Sequence, residues 1–209
     1  MSIHLPGLPA LFARLVPQRA PQPLAPAGTT WAARCGTALT LRPVCPADAT
    51  LLAELFEDGL SAASRRLRFH AAVRSLSPVQ LALLAKADFR SHAAFIVTWQ
   101  ADGLAHAVAE GRWVRTGVSA GAEFALSVAD AWQHQGIGGR LLRSLVDHAR
   151  RQGLDSLVGD VMPGNQPMQA LARRLHFDCS PHPDDGDLLQ AALPLARQAQ
   201  ALLPARWFH

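Results

Sequence analysis

Residues 136–151 form an amphipathic stretch that opens on Gly136, Gly138 and Gly139, and no other feature constrains the fold as strongly. Leu141, Leu142, Leu145, Val146 and Ala149 recur at helical spacing, so one face of a helix is apolar and the other polar. Residues 122–128 ahead of it read as a strand, Gly153 stops the helix, and residues 157–162 read as a second strand. A helix joining two strands in this order brings the second back parallel to the first, a βαβ crossover. The glycines then stand at a helix start, where unpaired N–H groups and a partial positive charge favour an anion, and where a missing Cβ lets it approach. Pyrophosphate is the natural guest. Taken alone, the same glycines equally suit a turn that packs a helix closely on a sheet.

The rest of the chain supplies more strands than helices. Residues 37–44 alternate as a strand, and Pro46 with Asp48 opens a helix carrying Leu51, Leu52, Leu55 and Phe56. Ser77 and Pro78 mark a second helix start, with Leu81, Leu84 and Ala85 behind them. Residues 93–100, 105–114 and 122–128 form an antiparallel meander, with turns at residues 101–103 and 117–121. Asn165 and Pro167 open another helix, and residues 187–195 read as a last strand. Six prolines between Pro6 and Pro26 mark residues 1–35 as an extension with at most a short helix over 11–16, while residues 196–209 read as a helical tail. The domain proper spans 36–195.

Composition excludes more than it selects. The chain is 49% hydrophobic and 17% charged, and no apolar run approaches the roughly 18 residues of a membrane span. Its 20 basic residues are all arginine except Lys86, spread along the chain without an aromatic-interleaved stripe, which argues against nucleic acid as a partner. Cys35, Cys45 and Cys179 have neither disulfide nor metal-ligand spacing, so no metal is expected and a cytoplasmic location is.

A Walker loop needs a GxxxxGK[ST] run that residues 136–142 lack, and a dinucleotide fingerprint needs a glycine where Leu141 stands. What does match is Gln133-x-x-Gly136-x-Gly138 after an apolar strand and before an amphipathic helix, with Asn165 through Phe177 downstream. This set resembles the GNAT superfamily of N-acetyltransferases and its [Gln/Arg]-x-x-Gly-x-[Gly/Ala] motif, over residues 37–195 and most strongly over 122–177. The resemblance implies a mixed α/β fold: a twisted, mostly antiparallel sheet with helices on both faces and a βαβ unit for acetyl-CoA. It puts coenzyme contacts on Leu126, Ser127 and Val128 at the strand end, on His134, Gln135, Gly136, Ile137, Gly138 and Gly139 at the pyrophosphate, on Asn165, and on Arg140 as a helper. Ser64 to Phe69, Ser77-Pro78, Ala87-Asp88-Phe89 and Ala122-Glu123-Phe124-Ala125 further resemble the acetyltransferase domain of bacterial Pat-type protein lysine acetyltransferases. The regulatory or ligase-like domains fused in those proteins have no counterpart in these residues.

The resemblance implies transfer of acetyl to an amine, a protein lysine or a small molecule, by direct attack on the thioester. Glu123 is the implied general base, and Glu110 on the preceding strand is the second candidate. The tyrosine acid common in the family falls at Ala172, and the chain contains no tyrosine, as in the Pat-type pattern. That gap leaves a non-catalytic acetyl-CoA-binding sensor or interaction module as the alternative function; under either reading the protein is expected to be a monomer or homodimer. His176 stands where the family has glycine, so the turn after that helix is expected to be strained or reshaped.

Overall fold

A computed structural model describes residues 28–117 and 120–195. The short helix expected at 11–16 and the helical tail at 196–209 lie outside the described residues. Eight strands, β1 (Thr29–Ala32), β2 (Ala38–Pro43), β3 (His92–Ala101), β4 (Leu104–Arg115), β5 (Gly121–Val128), β6 (Ser156–Val161), β7 (Asp178–Pro181) and β8 (Leu189–Pro194), form one sheet in the order β1-β2-β3-β4-β5-β6-β8-β7. Only β5 and β6 pair in parallel; all other neighbours are antiparallel. The helices are α1 (Ala49–Glu57), α2 (Ala62–Phe69), α3 (Pro78–Leu84), α4 (Ile137–Arg151) and α5 (Gln166–Arg174).

Helices cover both faces, and the strand period explains which side chains meet which helix. In β3, Ala93, Phe95 and Val97 pack with Leu141, Leu142 and Leu145 of α4, while Ala94 and Ile96 pack with Leu52 and Phe56 of α1 and Phe69 of α2. Burying each such leucine or phenylalanine contributes roughly 1.5–3 kcal/mol, so the amphipathic pattern of α4 is what seats it on the sheet. Ser77 caps α3 in a reciprocal box with Gln80, as its sequence position predicts.

Three elements depart from the sequence expectations. β1 lies inside the segment assigned to an extension and pairs with β2 from Thr29↔Leu41 to Ala32↔Ala38, so the sheet begins before residue 36. β7 pairs with β8 in a stretch without alternation. The third is α2, whose sequence is rich in arginine. There Arg65 donates to the carbonyls of Phe56, Glu57 and Leu60 and to that of Val73, closing the end of α1 and satisfying carbonyls that the helix leaves open.

The parallel pair positions the site. Its register runs only from Gly121↔Ser156 to Glu123↔Val158; beyond that the strands part. Phe124 fills the fork, its ring against Phe177 at 5.1 Å between centroids.

Candidate active site

Where β5 and β6 part, a cleft of about 270 Å³ opens and runs to the start of α4. Glu123, Leu126, Ser127 and Val128 line it from β5, and Asn165 from the start of α5. His134, Gly136, Ile137, Gly138 and Gly139 close its far end. Ten of the twelve residues expected from the sequence thus share one cavity. The side chains of the other two turn outward to the β1–β2 hairpin: Gln135 Oε1 accepts the Cys35 N–H at 3.1 Å, and the Arg140 guanidinium lies over the Trp31 ring at 4.6 Å.

The loop into α4 is shaped for an anion. Gly136 is the residue before the helix and has φ +83°, a left-handed conformation that costs glycine nothing, and no side chain caps the turn that follows. The first-turn N–H groups are therefore left to whatever enters the cleft. Gln133 steadies the approach, its amide donating to the Val128 carbonyl and to Asp130 Oδ1. Arg34 donates to the His134 carbonyl from the hairpin at 3.1 Å. Asn165 caps α5 by accepting the Met168 N–H at 3.2 Å, so its side chain has a structural task at the cleft wall.

The two candidate carboxylates separate by burial. Glu110 is fully enclosed, paired to Arg112 and 3.7 Å from Arg68, and it does not line the cleft. Glu123 lines the cleft and is 9% exposed. Ser127 faces the cleft with its hydroxyl buried and no hydrogen-bond partner among the described residues. Ala172, at the position of the family's tyrosine, is wholly buried on α5. His176 takes φ +65°, so the left-handed turn persists without glycine.

Sequence reasoning assigned no site residue to the opposite wall, although Ser64 to Phe69 belong to the Pat-type resemblance. Leu60, Ser64, Leu67, Arg68 and His70 line the cleft from α2 and its ends, facing Asp160 on β6. Nothing in the spacing of SRRLRFH distinguishes a solvated arginine from a buried one, and here Arg68 is buried while Arg66 is not. His70 is held below the ordinary histidine range, first by burial and against the pull of Asp160.

A sheet forked at one parallel pair, with an uncapped helix start at one end of the cleft and a carboxylate at the other, is the architecture of acyl transfer from a thioester coenzyme. Residues 57–177 match the model of the acetyltransferase (GNAT) family, and the chain belongs to that family. It is 31% identical over 130 residues to an acetyltransferase of Pseudomonas aeruginosa, covering 62% of this chain and 70% of that one. It is 30% identical over 175 residues to acetyltransferase Pat of Mycolicibacterium smegmatis, covering 83% of this chain but only 50% of the relative, so it spans half that protein's length. Among solved structures, the GNAT domain of S. lividans PAT superposes with a TM-score of 0.72 at 23% identity, over 80% of this chain and 97% of that one. The Salmonella typhimurium acetyltransferase yncA, determined with its cofactor acetyl-CoA, gives 0.59 at 21% identity, over 77% and 96%.

Proposed function

We propose that this protein is an acetyl-CoA-dependent N-acetyltransferase that passes acetyl to an amine, with Glu123 as general base. One observation carries the reading: a single cleft joins the uncapped start of α4 to Glu123 along the parted edge of β5. The donor set fits the coenzyme. The first-turn amides of α4 and residues 134–139 suit its pyrophosphate, and the main chain of Leu126, Ser127 and Val128 suits the amides of its pantetheine arm. Arg140 stands apart, since its guanidinium is engaged on Trp31.

Attack on a thioester needs a neutral amine and a group to take its proton as the new bond forms. Glu123 supplies that group, and main-chain N–H groups of β5 are the available oxyanion donors. No tyrosine is needed for the departing thiol, because a thiol of pKa about 8.5 leaves as thiolate or takes its proton from water. The Pat-type resemblance favours a protein lysine as acceptor over a small-molecule amine.

A mass-shift screen of lysine peptides and small amines with acetyl-CoA tests this. Acetylated product is expected, with turnover falling about 10²–10⁴-fold in Glu123→Gln while acetyl-CoA still binds by calorimetry. Failure of the wild type to bind acetyl-CoA would sink the reading. Acetylation of metabolites alone would end its protein-lysine form, and binding without turnover would leave a sensor.

A further inference from the structure

Behind the cleft, on the α1–α3 side of the sheet, three ionised side chains are packed with hardly any water. Arg68 is 3% exposed at its side chain, and Glu110 and Arg112 are wholly enclosed. Arg112 Nε donates to Glu110 Oε1, its Nη1 donates to His92 Nε2 at 3.3 Å, and its Nη2 donates to the Leu84 carbonyl at 3.2 Å. Arg112 is therefore well satisfied. Arg68 is not: its Nη2 stands 3.7 Å from Glu110 Oε2, and none of its guanidinium nitrogens has a hydrogen-bond partner among the described residues. Yet it lines the cleft.

Two guanidiniums and one carboxylate leave this cluster one positive charge in excess. His92 adds none, since burial and then the Arg112 charge draw it down to about 3. Burial lowers Arg68 to about 10, so it stays a cation at neutral pH. A buried unit charge is costly unless an opposite charge faces it. Glu123 is a second carboxylate acting on Arg68; it shares the cleft wall and the same face of β5 as Ser127, the residue opposite Glu110 in the register. From the other walls, His70 and Asp160 face the same space.

We propose that Arg68 is a positioning residue for the transfer: with Glu110 and Arg112 it forms a buried group of net charge +1 whose completing anion is the Glu123 carboxylate. The inference rests on Glu123 as the base and deepens that reading. With Glu123 ionised the four groups are neutral, and an entering ammonium would restore the excess. The site therefore admits its acceptor as the neutral amine, the form that can attack.

The chain has only four glutamates, Glu54, Glu57, Glu110 and Glu123, so protein labelled with ¹³C at the glutamate carboxyl gives a readable NMR titration without turnover. The Glu123 signal is the one lost in Glu123→Gln. Arg68→Met is expected to raise the Glu123 midpoint by about one unit and Arg68→Lys to keep it near the wild-type value, because an opposite charge nearby favours the ionised form. Glu110→Gln keeps an acceptor for Arg112 and is expected to lower the midpoint. A fold defect alone would not move the two variants in opposite directions. An unmoved midpoint in Arg68→Met, or a shift of the same sign in both, would overturn the proposal; if Arg68→Met does not fold, Glu110→Gln decides it by its own sign. Because the titration needs no acceptor, full activity in Glu123→Gln would overturn the base reading separately, whatever the midpoints do.

Discussion

The ring of Phe124 occupies the space that Gly159 leaves by having no side chain: a Cβ at 159 would stand 2.6 Å from Phe124 Cε1 and 2.8 Å from its Cζ. The two residues sit on the strands that part, so their contact sets the width of the fork. Gly159→Ala must push a ring that already packs, tilted, against Phe177, and overpacking of that kind costs about 1–3 kcal/mol. A urea midpoint lower by that amount, with weaker acetyl-CoA binding, is the expected outcome. Unchanged stability would mean that the ring has room to move.

The β1–β2 hairpin touches the loop into α4 through Arg34 on the His134 carbonyl and Trp31 under Arg140. These contacts are exposed or half-buried, so each contributes well under 1 kcal/mol. Arg34→Ala combined with Trp31→Ala is expected to raise the KM for acetyl-CoA a few-fold, about 0.7 kcal/mol by that bound, with kcat unchanged. A fall in kcat at constant KM would contradict the role of the hairpin as a support for the loop.

Two histidines predict acid sensitivity. His92 is drawn down to about 3, and His148 to about 4, by burial first and then by the Arg151 charge; Phe89, Phe95 and Trp113 surround the His148 ring. In the unfolded chain both titrate near 6.5. Between about pH 4 and 6.5 the unfolded chain therefore binds more protons, so stability is full above this window and falls as pH drops through it. Urea midpoints measured across that range should decline toward acid, and His148→Phe should flatten part of the slope. An identical slope in that variant would show that His148 is not held neutral.

At the end of α5, His176 carries a left-handed φ of +65°, and the Phe177 N–H closes the turn on the Ala172 carbonyl. Glycine takes this conformation without strain. His176→Gly is expected to stabilise by about 0.5 kcal/mol, read as a small rise in Tm; a fall would show that the imidazole makes a compensating contact.

Asp48 accepts two hydrogen bonds at 2.6 Å from Arg42 and one at 2.8 Å from the Cys45 N–H. Burial works to raise its carboxyl, but these bonds outweigh it and hold it below the usual range. Asp48→Asn should therefore cost about 2 kcal/mol at neutral pH, and the gap to wild type should close as pH falls from about 4, where the unfolded carboxyl takes up its proton, through the lower native value. A gap independent of pH would assign the loss to packing instead.

The sequence made residues 121–177 readable and left the cleft wall built from α2 obscure. Residues 121–177 carry a long amphipathic period, a glycine entry and a cap at Asn165, all local signals that survive in one dimension. The wall from α2 has no such signal. Ala62–Phe69 is polar by composition, and its order comes from tertiary partners: Arg65 closing α1, Asp130 accepting the Ser61 N–H, and Arg68 turned inward toward a carboxylate 42 residues away in the chain. β1 and β7 were missed for a related reason. Each is a four-residue edge strand with one pairing partner, too short for a period of two to stand out. By alternation alone Glu110 stays a second candidate beside Glu123; the register and the position of the fork separate them.

The ladder between β5 and β6 ends after three pairs, and past it the rim of β5 offers amide and carbonyl groups that no neighbouring strand claims. Recognition of this kind is written in the main chain and has no letter in the sequence. Replacing the side chains of residues 126–128 would leave such donors in place, so alanines there are expected to change coenzyme binding little, while a proline, which deletes an N–H, would silence it. The fold tolerates respelling as well: a domain at 23% identity shares the architecture at a TM-score of 0.72.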